Sequence, residues 1–346
     1  ARQRLSIGRI YDLRLSRYAM AKEYYKKARK AFGELDKKKE ILRCNLNIAR
    51  CNRLLGRLEQ SGENLSRLLE RARVLPDSER LQTKIVLEQA NSAWFQGRYQ
   101  EAFNLLQDSL RQARKKDWVL EQVIALNTSG LTWWSLGKDQ RAMRDLNRAL
   151  DLARTLEIRR DEVATTYNNI GLVQRDQGRY DRALQTLHKA LDIDREIDSR
   201  WAIAYDLRNI GLTHVQHGNP EQALPLLQDA LSLTREIGNR INQAKVLVAM
   251  GNCYLRLDKQ DRAREYFDKS LGLSREMALR ETVWRSLNGL GKIHKRKGEL
   301  EEARKRFLKA VDIIEQMRAS IQVTRLRNSF VADKMEVYES LVSVLL

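Results

Sequence analysis

The histidines and cysteines are the residues of this chain that could carry metal or nucleophilic chemistry, and there are 4 and 3 of them. His214 and His217 lie three residues apart on one predicted helix, but no cysteine or cluster of carboxylates lies near them in sequence to complete a metal site. No Walker-type phosphate loop is present. Cys44, Cys51 and Cys253 lack a CxxC spacing and lie in predicted helices, which favours reduced, buried thiols in a cytoplasmic protein. We therefore expect no catalytic residue, no cofactor and no metal in this chain.

Small residues return about every 40 positions along the chain, and this ladder is the strongest signal in the sequence. The ladder consists of Ala21, Ser61, Ala102, Ala142, Ala183, Ala223, Ala263 and Ala303. Glycines precede several of these positions at constant distances, so the surroundings repeat as well. A fixed period of this length predicts a repeat protein, whose function must be argued from its surfaces.

Each repeat reads as two amphipathic helices joined by a tight turn. In the fifth repeat the first helix ends near Gly178, and the second carries Ala183 and Leu187 on one face. Gly171 and Ala183 mark the point where the two helices cross at short distance, because larger side chains would force them apart. The chain has only 3 prolines and shows no alternating strand pattern, which also predicts an all-α protein.

The repeated pattern resembles the tetratricopeptide repeat (TPR). A small residue is eighth in the unit, alanine is twentieth, and a bulky residue follows at Leu187, Leu227, Phe267 or Phe307. The units are longer than the shortest TPR form and lack its helix-ending proline, which longer helices explain. The resemblance implies a right-handed TPR superhelix (α-solenoid) of about eight helical hairpins over residues 1–318, followed by capping or linker helices over 319–346.

In TPR proteins the first helix of each unit lines a concave groove that binds a peptide or protein partner. Positions carried over from the motif give the following groove residues: Asn91, Trp94, Asn127, Trp134, Asn168, Arg175, Tyr205, Arg208, Lys245, Asn252, Arg256, Arg285, Asn288, Lys292 and Arg296. The groove so predicted is aromatic in its middle and basic toward its C-terminal end. Its asparagines can both donate and accept hydrogen bonds to an extended peptide backbone.

Part of this set has a purely structural alternative. Trp94 and Trp134 suit packing between units, and the run from Lys292 to Lys297 suits a solvated helix face. Under the groove interpretation, four basic positions of the last units form one positive strip: Arg256, Arg285, Lys292 and Arg296. Such a strip beside the aromatic residues favours an acidic segment with an apolar anchor as partner.

The C-terminal segment carries a second resemblance. Glu315–Arg318, Arg325–Phe330 and Val337–Leu341, with a turn expected near Ser329, look like the segment that joins a TPR array to a CHAT domain in bacteria. This implies that the chain is the sensor part of a TPR-CHAT protein. The catalytic His and Cys of that family belong to the caspase-like CHAT peptidase domain, and no residue here matches them. The alternative is a capping helix that protects the end of the solenoid. The start at Ala1, without methionine, indicates an excised or processed form.

Net charge leaves a second function class open. The formal charge is +19, and residues 1–60 hold 17 lysines and arginines against 6 acids. A basic end of this kind could hold phosphate backbone in a nucleic acid or a ribonucleoprotein. The charges are spread around whole helices, however, and no helix-turn-helix, zinc or RNP-type motif accompanies them. We therefore rank nucleic acid below an acidic protein partner. No apolar run approaches the length of a membrane span.

Overall fold

The computed structural model describes residues 1–14, 17–156, 160–332 and 334–346, and every regular element within these ranges is helical. Helix α1 (Arg2–Arg9) continues into a π-helical turn (Ile10–Arg14) and is followed by α2 (Tyr18–Gly33). Seven pairs follow: α3 (Lys38–Leu54) with α4 (Leu58–Arg73), α5 (Glu79–Phe95) with α6 (Tyr99–Lys115), α7 (Val119–Ser135) with α8 (Asp139–Arg154), α9 (Arg160–Asp176) with α10 (Tyr180–Glu196), α11 (Arg200–Gln216) with α12 (Pro220–Glu236), α13 (Arg240–Arg256) with α14 (Gln260–Glu276), and α15 (Arg280–Arg296) with α16 (Leu300–Ala319). Helices α17 (Thr324–Ala332) and α18 (Met335–Leu345) complete the chain. The predicted all-α repeat array is confirmed.

Residues in the left-handed backbone region end the helices with the same period as the small residues. Within a unit the residue is nearly always glycine, which adopts a positive φ without steric cost because it has no Cβ. It occurs at Gly56, Gly97, Gly137, Gly178, Gly218, Asp258 and Gly298. Between units it is usually aspartate, as at Asp117 and Asp198, but Ala278 occupies one such position with a φ of 53°. Each of these residues stops one helix and reverses the chain into the next.

The two helices of a unit cross where the sequence predicts. All eight members of the small-residue ladder are fully buried. A Cβ added to Gly171 would lie 2.6 Å from Leu187 Cγ in the partner helix, and one added to Gly211 would lie 2.8 Å from Leu227 Cδ2. Carbon atoms repel one another strongly at these distances, so the close crossing requires glycine.

The array curls until its early units contact its late units, across a gap of roughly five units in sequence. We call this contact the closure seam, and it comprises Gly56, Gly97 and Tyr99 on one side and Met277, Met317 and Phe330 on the other. The glycines leave room for the methionines, since a Cβ on Gly97 would lie 2.7 Å from Met317 Cε. The rings of Tyr99 and Phe330 lie 6.0 Å apart. The array therefore closes on itself through this contact.

Helices α17 and α18 extend this enclosure. Phe330 and Val337 are buried, whereas Val342 and Leu345 at the end of α18 are exposed. The predicted turn near Ser329 is wrong, because Ser329 lies inside α17 and its hydroxyl donates to the carbonyl of Leu326 one turn earlier. The chain turns instead after the end of α17. The Arg325 side chain, quoted above for the CHAT resemblance, lies outside the described residues.

Candidate ligand-binding inner face

The fifteen predicted partner-binding residues all lie on the odd-numbered helices from α5 to α15. These first helices contact one another directly from unit to unit, whereas the second helices of neighbouring units barely do within the described residues. The layer with closer neighbours has the smaller radius in a curved array. The odd-numbered helices therefore form the inner layer, and we call their common surface the inner face.

Two of the predicted asparagine ligands are used inside this layer. Asn127 donates to Thr166 Oγ1 at 3.0 Å in the next unit. Asn168 donates to Asp206 and accepts from Asn209 at 2.7 Å. Both asparagines are buried. Hydrogen bonds between successive units thus already use these two amides, and their contact with a ligand stays a prediction.

The other asparagines differ in what they leave unsatisfied. Asn91 accepts a hydrogen bond of 2.8 Å from Thr128 Oγ1, and Asn252 is half-buried. Asn288 is buried, and its carbonyl oxygen has no hydrogen-bond partner among the described residues. Asn288 therefore retains an acceptor that a ligand can use.

Trp94 and Trp134 pack between units and stay partly exposed. The indole N–H of Trp94 donates to Ser135 Oγ at 3.0 Å, and that of Trp134 donates to Asp176 at 3.0 Å. Arg175 also bonds Asp176, at 2.8 Å. In both cases the indole reaches one unit forward. The tryptophans thus join units together while each keeps part of its ring accessible.

The basic residues of the last units do not form an uncompensated strip. Arg285 forms a salt bridge with Glu281 at 2.7 Å, Lys292 pairs with Glu336 of α18, and Arg296 bonds Asp258 and the carbonyl of Leu255. Arg256 is exposed. The predicted positive strip is therefore largely neutralised. Glu281 of α15, Glu336 of α18 and Asp258 of the turn after α13 supply the carboxylates. The motif positions alone do not reveal them.

The inner helices of the second, third, sixth and seventh units converge on one enclosed site, which we call the central pocket. Its lining comprises Leu54, Phe95, Trp201, Tyr205, Arg208, Asn239, Ile241, Asn242 and Lys245. The remaining cavity measures about 10 Å³, which is room for about one water molecule. Three of the predicted groove residues, Tyr205, Arg208 and Lys245, meet here.

Lys245 lies between aromatic rings that belong to a distant unit. Its ammonium lies 5.1 Å from the centroid of Trp94 and 4.9 Å from that of Phe95. Such contacts stabilise a cation that is withdrawn from water. Burial, together with the nearby Arg208, nevertheless lowers the pKa of Lys245 to about 7. Glu281 opposes this shift.

Arg208 is a buried cation held by neutral groups. Its guanidinium donates to Asn242 Oδ1 at 2.6 Å and to Asn209 Oδ1 at 2.7 Å, and it lies 4.3 Å from the ring centroid of Tyr205. No carboxylate forms a salt bridge with it among the described residues. Burial is the main cause that lowers the pKa of Arg208. The amide nitrogen of Asn242 is buried without a partner.

An acid pair lies next to this cation. Asp194 and Asp206 are both buried, and each is close enough to affect the pKa of the other. Burial raises the pKa of Asp194 to about 7, and burial together with the charge of Asp194 raises the pKa of Asp206 well above its usual value. A proton retained by the pair would remove one of two buried like charges, and the raised pKa values favour this state. Asp206 then gives Arg208 less compensation than an ionised carboxylate would.

Within the part of the chain that the structure describes, no three His, Cys, Asp or Glu residues cluster in a way that suits a metal ion. The three cysteines are buried free thiols, and burial raises the pKa of Cys44 and of Cys253 to about 11. None of the described helices combines the length and the apolar character of a bilayer span.

Comparison with known families identifies the repeat. Profiles of the tetratricopeptide repeat match residues 40–115, 121–196, 162–236 and 202–276, and two further tetratricopeptide profiles match 4–30 and 285–317. These matches cover most of the chain. The chain belongs to the tetratricopeptide repeat family. A comparison with curated protein sequences gave no significant match.

Solved structures share the architecture at low sequence identity. The Rap conjugation gene regulator of the plasmid pLS20, in complex with the Phr* peptide, has 16% identity and a TM-score of 0.67 over 84% of this chain and 80% of its own. A Rap protein complexed with Competence and Sporulation Factor has 14% identity and a TM-score of 0.64 over 99% and 98%. A Pyrococcus horikoshii STAND protein with a tetratricopeptide repeat sensor has 16% identity and a TM-score of 0.55 over 94% and 53%. At these identities the likeness establishes the fold alone.

Proposed function

We propose that this chain is an interaction scaffold that binds a peptide or an extended protein segment on its inner face. The observation that carries the proposal is that Asn242 and Asn288 are buried on inner helices with hydrogen-bonding atoms that have no partner. Buried polar groups are almost always satisfied in folded proteins, so the leftover groups of these two inner-helix asparagines support a ligand that supplies their partners. A peptide backbone supplies both kinds of group. The Rap conjugation regulator, which shares the fold, is in complex with the Phr* peptide.

The proposed partner has apolar and acidic character. Trp94, Trp134 and Tyr205 are half-buried, so each offers part of an aromatic ring as an apolar anchor site. The cations that attract the acidic part are Arg208 and Lys245 in the central pocket, since the basic residues of the last units are mostly paired. The fifteen groove positions given above remain the proposed contact set.

A selection from a phage-displayed random peptide library tests the proposal. Peptides enriched on the wild-type chain are measured against Tyr205→Ala, which removes an aromatic ring from the inner face. Tyr180→Ala is the matched control, because Tyr180 lies on a second helix. Its ring centroid lies 5.1 Å from that of His217 in a surface groove. We expect Tyr205→Ala to weaken binding by about tenfold or more and the control to leave it unchanged. Equal binding to both variants contradicts an inner-face site.

The finer part of the proposal is regulatory. We infer, from the resemblance over residues 315–341, that α17 and α18 couple partner binding to a CHAT peptidase domain in a bacterial cytoplasm. Val342 and Leu345 of α18 are exposed, and an apolar pair of this kind suits contact with further protein. The gene sequence downstream tests this. A domain with a His and Cys dyad is expected there, and a different domain or a stop codon contradicts the coupling.

A nucleic-acid-binding function is the second candidate, and exposed Lys26, Lys27 and Lys30 on α2 favour it. Lys26 is already paired with Glu23, and Lys27 lies over the ring of Tyr24. Titration of salt against binding of single-stranded RNA separates the two functions. The slope of the logarithm of the binding constant against the logarithm of the salt concentration reports phosphate contacts. A smaller slope after Lys27 and Lys30 are changed to alanine supports such contacts, whereas no binding at moderate salt contradicts them.

A further inference from the structure

We propose that Lys245 is a modification site at which the side-chain amine reacts reversibly with carbon dioxide to form a carbamate. The lone pair of the neutral amine forms a bond from Nζ to the carbon of carbon dioxide. One electron pair of a C=O bond moves onto oxygen, and the nitrogen releases one proton to solvent. The product carries one negative charge, next to the guanidinium of Arg208 and the amide nitrogen of Asn242. This modification does not depend on peptide binding.

The amine of Lys245 is placed where it loses its proton easily. Its ammonium packs against the rings of Trp94 and Phe95 instead of a carboxylate. Burial and the charge of Arg208 lower the pKa of Lys245 to about 7. An ordinary lysine is neutral to only roughly 0.04% at pH 7, whereas about half of an amine with a pKa near 7 is neutral. Only the neutral amine has the lone pair that attacks an electrophile.

The other charges around Lys245 are already paired. Glu281 of α15 raises the pKa of Lys245, but its carboxylate forms a salt bridge with Arg285 at 2.7 Å. Arg53 of α3 lies over the same phenylalanine ring as Lys245, and Glu88 pairs with it. Lys245 itself forms no salt bridge with any residue that the structure describes. Its amine is therefore not committed to an acid of the chain.

Arg208 and Asn242 form the part of the pocket that suits the charge of a carbamate. Arg208 is buried, and its hydrogen-bond acceptors on Asn242 and Asn209 are neutral. A buried cation is costly without a counter-charge. Asn242 is 3% exposed, and its amide nitrogen has no partner within the described ranges. Asn242 and Lys245 lie three residues apart on α13, so they share a helix face, and a carbamate there supplies both a counter-charge and an acceptor.

The size of the pocket selects a small reactant. Its cavity of about 10 Å³ has room for about one water molecule, but Lys245 is partly exposed. Carbon dioxide is small and apolar, so it can reach the amine from this exposed side. After the reaction the side chain is no longer a cation, and its contacts with Trp94 and Phe95 lose their electrostatic attraction. The carbamate is then free to turn from the rings toward Arg208.

Trapping with triethyloxonium ion tests the site directly. This reagent ethylates a carbamate oxygen and converts the reversible adduct into a stable ethyl carbamate. The full chain is equilibrated at pH 7.5 with ¹³C-labelled or unlabelled bicarbonate, trapped and digested, and the modified lysines are identified by mass spectrometry. The isotope difference shows that the added carbon comes from carbon dioxide. Lys334 is the internal control, because its ammonium also lies over a ring, 4.0 Å from the centroid of Phe330, but donates to the carbonyl of Phe330.

A matched pair of variants on α13 tests the part played by the pocket. Asn242→Asp keeps the shape of the side chain and places a carboxylate beside Arg208, so the pocket holds its own negative charge and Lys245 keeps its proton. Asn252→Asp makes the same change on the same helix, outside the pocket lining. Thermal melts with and without bicarbonate, at equal pH and ionic strength, give a second measurement, because a ligand of the folded state alone raises the melting temperature.

We expect the ethyl carbamate at Lys245 in the wild type and in Asn252→Asp, and about tenfold less or lower in Asn242→Asp, since each unit of increase in the pKa lowers the neutral fraction about tenfold. Bicarbonate should raise the melting temperature of the first two proteins and not of the third. An unmodified Lys245 overturns the proposal, and so does equal labelling of Lys334. Equal labelling of Lys245 in both variants contradicts a carbamate held by Arg208 and Asn242. If Asn242→Asp does not fold, the comparison of Lys245 with Lys334 within the wild type still decides.

Discussion

The buried acid pair of Asp194 and Asp206 predicts an unusual dependence of stability on pH. Between pH 5 and 7 an unfolded aspartate is ionised, whereas the folded pair still holds a proton because the pKa values of both groups are raised. The unfolded state therefore binds fewer protons than the folded state. The free energy of unfolding must fall as the pH rises, by about 1.4 kcal/mol per pH unit for each retained proton. Over this window one proton gives a loss of at most about 3 kcal/mol.

The variant Asp206→Asn isolates this contribution. The amide imitates a protonated Asp206, because its nitrogen donates to Asp194 and its oxygen accepts from Asn168. Urea unfolding followed by circular dichroism at pH 5, 6, 7 and 8 gives the stability difference between variant and wild type. We expect this difference to grow in favour of the variant with rising pH. Asp192→Asn, an exposed change on α10, the helix that carries Asp194, is the control and should show a constant difference. A constant difference for Asp206→Asn would refute the shared proton.

Three further changes test the architecture. Ala278→Gly relieves a positive φ of 53° at a helix end and should stabilise the chain by about 1 kcal/mol in urea unfolding; an unchanged midpoint argues against strain there. Ala223→Leu should cost about 1 to 3 kcal/mol by overpacking a fully buried helix crossing, so a melt like that of the wild type contradicts the assigned register. Removal of residues 321–346 uncovers buried Tyr99 and should promote self-association, which a monomer in light scattering would disprove.

The repeating part of this fold is predictable because its causes are local. Gly171 and Ala183 must be small wherever two helices cross closely, and Gly178 must be glycine-like wherever a helix ends in the left-handed region. These demands recur in every unit and therefore appear as a period in the sequence. Because the motif repeats, its groove positions all fall on the first helices of the units, and the structure has them there.

The closure seam and the central pocket are not predictable in this way. The contact of Gly56 with Met277 depends on small rotations that accumulate from unit to unit, and no local pattern encodes their sum. Asn242 was therefore missed, since its position in the motif marks it only as an ordinary inner residue. The same accumulation explains why pairing within the basic strip was not predicted, because Lys292 meets Glu336 only after α18 folds back onto α15. The sequence feature that accompanies the closure seam is the pair Gly56 and Gly97, because glycine leaves room there for Met277 and Met317.

The acid pair and the central pocket are physically linked through Arg208. While Asp206 keeps its proton, Arg208 lacks a full counter-charge and attracts the anion of a ligand. Ionisation of the pair above neutral pH places a negative charge beside Arg208, and the ionised carboxylate then competes with the ligand for the same cation. Lys245, whose pKa is about 7, loses its charge over the same range, so both groups lower the affinity for an anionic peptide as the pH rises. Asp206→Asn removes only the first of these causes. An acidic peptide selected on the wild-type chain should therefore bind this variant with a weaker pH dependence than it binds the wild type, in fluorescence anisotropy between pH 6 and 8.5. Identical pH dependences would show that Asp206 and the ligand do not compete for Arg208.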